Sequence, residues 1–173
     1  DRDENAPAIE LKNVSFTYCS SPSPALTNIS LTVPAGASVG VLGGTGSGKT
    51  TLVSLITRLY DATEGSVNIF GRNVKEYSGA QLRKFFGIAP QKAVLFAGSV
   101  RENIKWGKED ATDDEISRAL EISQSAEFVN SFKDGLDTVI SQGGKNLSGG
   151  QRQRLTIARA LVARPKILIL DDS

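Results

Sequence analysis

The chain has 173 residues, 39% hydrophobic and 23% charged, and its 20 basic and 19 acidic side chains leave no strong field for nucleic acid or anionic lipid. One cysteine, Cys19, excludes an intrachain disulfide and fits a reducing compartment, and no apolar run reaches the roughly 20 residues that a bilayer span requires. The length suits one domain with a core or most of a larger one; the polar start "DRDENAPAIE" carries no signal peptide, and the absence of any methionine implies a segment of a longer polypeptide.

In chain order, residues 9 to 18 alternate, with Ile9 and Leu11 in one phase and Val14, Phe16 and Tyr18 in the other. That change of phase predicts a strand with a bulge near Lys12–Asn13. "CSSPSPAL" is a loop punctuated by serine and proline. Ile29, Leu31 and Val33 then face one way in a second, half-buried strand, "PAG" turns, and "SVGVL" (38 to 42) is expected to be a short apolar strand. From Lys49 the spacing becomes helical, placing Leu52, Leu55, Ile56 and Leu59 on one face. A further strand, "GSVNIFG", follows.

The middle of the chain is more helical. Thr112-Asp113-Asp114-Glu115 has the form of a capping box, and Ile116, Ala119, Leu120 and Ser123 continue at helical spacing. Phe128, Val129 and Phe132 predict a short helix ended at Asp134–Gly135. Ser148-Gly149-Gly150-Gln151 is another capping box, opening a helix through Ala158, Leu161 and Val162 that Arg164–Pro165 ends. "KILIL" reads as a strand buried on both faces of a mostly parallel sheet. The sum is a mixed α/β domain without internal repeats.

The chemistry starts at "GGTGSGKT", Gly43 to Thr50, which matches G-x-x-x-x-G-K-[ST] between an expected strand and a helix. Its glycines let successive backbone N–H groups turn toward one anion, and the helix N-terminus adds partial positive charge. Lys49 can reach β- and γ-phosphates, and the Thr50 hydroxyl can ligate Mg²⁺. A chance match in a chain of this length is on the order of one in a few hundred. In phosphate-loop proteins an acid ending a neighbouring buried strand holds the magnesium shell, and Asp171 after "ILIL" fits that place.

Between these ends lies "LSGGQRQR", Leu147 to Arg154. With the phosphate loop and "ILILDD", it resembles the ATP-binding-cassette family in the family's own motif order, over essentially the whole chain. The run "LFAGSVRENI" resembles the exporter branch. The fold implied is α/β, a P-loop NTPase with a RecA-like core, an antiparallel β subdomain and an inserted α-helical subdomain, truncated at the C-terminus. Residues 1–90 and 155–173 would form the β subdomain and phosphate-loop core, and residues 91–154 the helical subdomain with the signature.

The same resemblance distributes the roles. Tyr18 would stack on adenine, and Gly43, Gly44, Thr45, Gly46, Ser47, Gly48, Lys49, Thr50 and Thr51 would bind nucleotide. Thr50, Gln91 and Asp171 would serve Mg²⁺, with Gln91 also sensing the membrane domain. Lys49, Gln91 and Asp172 would act in hydrolysis. Leu147, Ser148, Gly149, Gly150 and Gln151 would face ATP bound to a second subunit, so that two ATP–Mg²⁺ are sandwiched head to tail. Ser148 would then serve both as an N-cap, worth about 1 kcal/mol, and in ATP-driven dimerisation.

Three departures matter. Hydrolysing members usually carry Glu where this chain has Asp172; the shorter side chain withdraws the carboxylate by about 1.5 Å. Misplacement by about 1 Å can cost a hundredfold in rate, whereas the two acids differ little in intrinsic acidity, about 3.9 against 4.3. The expectation is slow hydrolysis at this chain's own phosphate loop, as in the degenerate half of a heterodimeric exporter; a slower but working homodimer is the alternative. Gln142 stands in "SQGGKN" where exporters typically have an acid, and the chain has no histidine, so the family's switch histidine would lie beyond Ser173. The fragment alone would bind or hydrolyse ATP weakly. The expected partners are a transmembrane domain and a second nucleotide-binding domain, heterodimer before homodimer, at the cytoplasmic face of the membrane, without nucleic acid. Two other readings stay open: a non-catalytic regulatory nucleotide-binding half-site, and a soluble cassette ATPase.

Overall fold

The structure, a computed structural model, describes residues 6 to 171, so Asp172 and Ser173 lie outside the described residues. The chain divides into two compact units, residues 1–83 and 84–173.

The first unit is built on strands β1 (Ile9–Phe16), β2 (Leu26–Val33), β3 (Glu64–Ile69) and β4 (Arg72–Asn73), antiparallel in the order β2-β1-β3-β4. The bulge falls where the change of phase places it. Both neighbouring registers of β1 slip there, between Leu11 and Val14 on one side and between Lys12 and Ser15 on the other. Asn13 takes a left-handed φ of 49°, a conformation that asparagine tolerates better than most residues. Its backbone N–H donates to Ser30 Oγ at 3.0 Å, and Ser30 Oγ donates back to Asn13 Oδ1 at 3.1 Å. The extra residue brings Ile9, Leu11, Val14 and Phe16 all to the buried side. β3 and β4 are joined at Phe70 (φ 49°) and Gly71 (φ 77°), the two positive φ values of a tight hairpin turn.

Helix α1 (Lys49–Ile56) buries Leu52, Leu55 and Ile56 but ends before Leu59, which is 73% exposed and not on the helical face that its spacing predicts. The chain leaves the helix because Arg58 turns left-handed (φ 56°), while Arg58 N–H donates to Leu55 O and Leu59 N–H to Ser54 O. The side chain of Arg58 fixes that corner, donating to the carbonyls of Val74 and Tyr77 at 3.1 and 3.0 Å. A short helix, α2 (Gly79–Arg83), closes the unit.

The second unit holds a parallel pair of strands, β5 (Phe86–Ala89) and a final strand (Ile167–Leu170), in register from Phe86↔Ile167 to Ala89↔Leu170. Between them run β6 (Gly98–Ser99), α3 (Val100–Lys105), α4 (Asp113–Ile122), α5 (Ala126–Ser131), β7 (Val139–Ile140) and α6 (Gly149–Leu161); the final strand is β8. Their core gathers Leu95, Val100, Ile104, Ile116, Leu120, Val129, Ile140, Leu147 and Leu155, each buried. Every such aliphatic side chain contributes about 1.5–3 kcal/mol on burial. Thr112 and Ser148 cap α4 and α6 through the reciprocal bonds that the sequence predicts, and Ser99 with Glu102 does the same for α3.

Two strand expectations are corrected. Residues 38–42 form no ladder; Val39, Val41 and Leu42 are 49, 48 and 96% exposed, because a strand needs backbone partners and none of the described residues pairs with them. β8 is not buried on both faces: Ile167 is buried, but Leu168 and Leu170 are 41 and 51% exposed, since β5 is its one ladder partner among the described residues. Smaller differences lie at element ends. β1 stops at Phe16, short of Tyr18, and α5 stops at Ser131, with Phe132 in an extended C-cap conformation. No helix among the described residues is long and apolar enough to cross a membrane.

Candidate nucleotide site

The phosphate loop ends on Gly48, whose φ of 93° starts α1. A side chain there would be strained in that backbone conformation, and its Cβ would lie 2.7 Å from Leu26 Cδ2 and 3.0 Å from the Ala25 carbonyl. Glycine is thus required twice, by conformation and by space. Because Gly48 offers no side chain, α1 has no side-chain cap, and its first turn contains no acid. The opening N–H groups therefore have neither an intrahelical acceptor nor a carboxylate to satisfy them, which is the condition for an anion site. Lys49 Nζ folds over the loop and donates to the carbonyls of Gly43 (2.5 Å) and Gly44 (3.0 Å). Thr50 is exposed, so its hydroxyl is available to a ligand, and Gly43, Gly44, Thr45, Gly46 and Ser47 are exposed around it.

Tyr18 and Thr51 belong to the same unit. The Tyr18 and Thr51 hydroxyls are 2.9 Å apart, and Tyr18 meets Phe16 and Tyr60 edge-on at 4.8 and 5.4 Å.

In the second unit, parallel pairing brings two expected metal residues to one sheet end. Gln91 follows β5 and Asp171 follows β8, and the Asp171 N–H donates to the Ala89 carbonyl at 2.9 Å, extending the ladder. Ligands of open parallel sheets bind at the carboxyl ends of strands, which is where both residues stand. Among the described residues no three His, Cys, Asp or Glu side chains converge. A magnesium ion arriving with phosphates needs no such cage, since it keeps waters and takes only one or two protein ligands. The residues present therefore fit a nucleotide-borne Mg²⁺.

The signature opens α6. Ser148 Oγ accepts from Gln151 N–H at 3.2 Å, and Gln151 Oε1 accepts from Ser148 N–H at 2.9 Å. The cap uses Ser148 as an acceptor and leaves its hydroxyl proton for another oxygen. Ser148, Gly149 and Gly150 are exposed, whereas Leu147 is buried in the core and anchors the loop. Arg152 braces it further, donating to the carbonyls of Leu147 (2.6 Å) and Gly144 (3.3 Å). Gly144 accommodates this with φ 66°, since a Cβ there would lie 2.8 Å from Arg152 Cδ.

Sequence reasoning missed Arg152, the Tyr18–Thr51 bond and Asn103. Asn103 directly follows the Ser99–Glu102 cap of α3, whose spacing says nothing of the bonds that Asn103 makes.

Residues 26–173 match the model of the family described as ABC transporter. The chain belongs to the ABC transporter family. Over 165 residues it is 46% identical to a "Multidrug efflux ATP-binding/permease protein" of Mycobacterium bovis, covering 95% of this chain and 14% of that protein. It is 43% identical over 170 residues to "ATP-binding cassette sub-family B member 10, mitochondrial" of mouse, covering 96% of this chain and 24% of that one. Among solved structures, a bacterial Atm1-family ABC exporter with ATP bound aligns at a TM-score of 0.90 and 36% identity, over 96% of this chain and 29% of that one. The chain thus spans under a third of the length of these relatives, and its fold is that of an ABC exporter's nucleotide-binding portion.

Proposed function

We propose that this chain is the ATP-binding and ATP-hydrolysing motor portion of a membrane exporter, working at the cytoplasmic face of the membrane. The observation that carries the reading is the uncapped, acid-free start of α1 with Lys49 folded over the loop carbonyls. When bound, Mg²⁺ would neutralise charge on the β- and γ-phosphates. Thr50, Gln91 and Asp171 would hold it; Gly43 to Thr51 would bind the phosphates; Tyr18 would stack on the base. Residues 91–154 would form the helical subdomain with the signature, and residues 1–90 and 155–173 the β subdomain and phosphate-loop core.

A second nucleotide-binding domain would complete the site from its side. This chain's Ser148, Gly149, Gly150 and Gln151 would in turn face the ATP held by that partner. A transmembrane domain would be the other partner. Asp172 adds a specific variant: its short carboxylate favours one half of a heterodimer, in which the site on this chain's phosphate loop turns over slowly. A non-catalytic site that holds ATP to keep the pair closed is the limiting form of the same idea.

The decisive measurement is ATP affinity of the full-length protein with Lys49→Ala. Removing the cation should weaken binding by at least tenfold; unchanged affinity would reject the phosphate-loop assignment.

A further inference from the structure

The hydroxyls of Tyr18 and Thr51 lie 2.9 Å apart and, among the described residues, neither side chain has another hydrogen-bond partner. Thr51 is 6% exposed and sits in the first turn of α1, beside the Lys49 and Thr50 of the phosphate loop. Tyr18 lies beyond the end of β1, where no ladder holds its backbone. Its ring is instead held by contacts of the side chain alone: edge-on to Phe16 at an interplanar angle of 84°, edge-on to Tyr60 at 86°, and the phenol bond to Thr51. Edge-to-face contacts favour a ring orientation without pinning the ring's tip, whereas a hydrogen bond there fixes direction.

We propose that the Tyr18–Thr51 hydroxyl pair is a positioning device that fixes the base-binding ring relative to the helix that binds the phosphates. This rests on the nucleotide reading above and deepens it. Its physical basis is preorganisation: a platform already held in its binding orientation loses less freedom when a base stacks on it. The Tyr18 hydroxyl therefore acts on the base-dependent part of affinity.

The test uses full-length protein and two probes, ATP and inorganic tripolyphosphate, the second lacking any base. Tyr18→Phe keeps the ring and removes only the hydroxyl; Thr51→Val removes the other half; Thr51→Ser retains it. Expected are a 3- to 10-fold loss of ATP affinity in Tyr18→Phe with tripolyphosphate affinity unchanged, an ATP loss at least as large in Thr51→Val, and near-normal ATP affinity in Thr51→Ser. Adding Tyr18→Phe to Thr51→Val should cost no further ATP affinity, because one bond is removed once. Wild-type ATP affinity in Tyr18→Phe overturns the proposal while leaving the nucleotide reading standing, as does an equal loss for both probes in that variant or a further loss in the double variant. Failure of the wild-type protein to bind either probe overturns both.

Discussion

Asn103 and Phe96 are joined at both ends of one amide. The buried Asn103 accepts the Phe96 N–H on Oδ1 at 2.9 Å and donates from Nδ2 to the Phe96 carbonyl at 2.9 Å. The same Nδ2 donates to the Ser99 carbonyl at 3.0 Å. Asn103 thus stands in for a strand partner to an irregular segment, tying the chain between β5 and α3 to the helix. Phe96 also stacks on Trp106 at 4.6 Å, so the tie fixes an exposed aromatic pair as well. Asn103→Ala removes three part-buried hydrogen bonds; at about 0.5–1.5 kcal/mol each, a loss of about 2–3 kcal/mol is expected. Urea unfolding of the wild-type and variant proteins measures it, and a loss below about 1 kcal/mol would show that water replaces the amide.

Arg101 makes the corresponding tie by charge. Its guanidinium pairs with Asp113 at the start of α4 and, at 2.9 Å, with Asp137 in the turn before β7. The Arg101 side chain holds the Asp137 carboxyl below its ordinary value, chiefly through that hydrogen bond. A carboxylate depressed in the folded state stabilises above its unfolded pKa, near pH 4, and loses that contribution as pH falls through the folded value. Wild type should therefore melt higher than Arg101→Met at pH 7, and the gap should close below about pH 4. A gap that stays constant down to pH 3 would mean that the arginine acts by packing alone. Salt at 1 M should also narrow it, because both aspartates are largely exposed.

The contrast between these two ties shows what was legible in the sequence. The bulge at Lys12–Asn13, the caps at Thr112 and Ser148 and the phosphate loop are local: spacing of a few residues sets them, so the order of residues displays them. Arg101 meets partners 12 and 36 residues away, and Tyr18 meets Thr51 across 33, so no periodicity announces either contact. The two strand errors have the opposite origin. Residues 38–42 and 167–170 carry the composition of buried strands, but composition does not supply ladder partners. Leu59 fits the helical stripe by number, yet a backbone corner braced by Arg58 removes it.

Ser148 offers a substitution that separates its two roles. Aspartate is as good an N-cap as serine, and its charge suits a helix N-terminus, so Ser148→Asp should preserve stability within about 0.5 kcal/mol. The same charge would stand where the proposed function places the partner's γ-phosphate, and like charges repel. ATP-dependent association of the nucleotide-binding domains, followed by light scattering, should then fall at least tenfold. Ser148→Ala should instead lose about 1 kcal/mol in unfolding and, with the hydroxyl gone, part of the ATP-dependent association as well. If Ser148→Asp associates normally with ATP, the helix start does not face a phosphate.

Asp172 lies outside the described residues, and its test comes from the sequence. If the carboxylate falls short by about one methylene, lengthening it should restore reach without changing acidity appreciably. Asp172→Glu in the full-length protein should raise turnover at this chain's site by roughly 10- to 100-fold, the scale on which a misplacement of about 1 Å is felt. ATP affinity should change little, since the lengthened acid would act on the attacking water. Single-turnover measurement at this site, with the partner's site blocked, separates the two quantities. An increase with affinity unchanged supports a slow site limited by geometry. Equal rates for Asp172 and its glutamate variant would show that aspartate already reaches the water, and would favour the slower, working homodimer over the degenerate half.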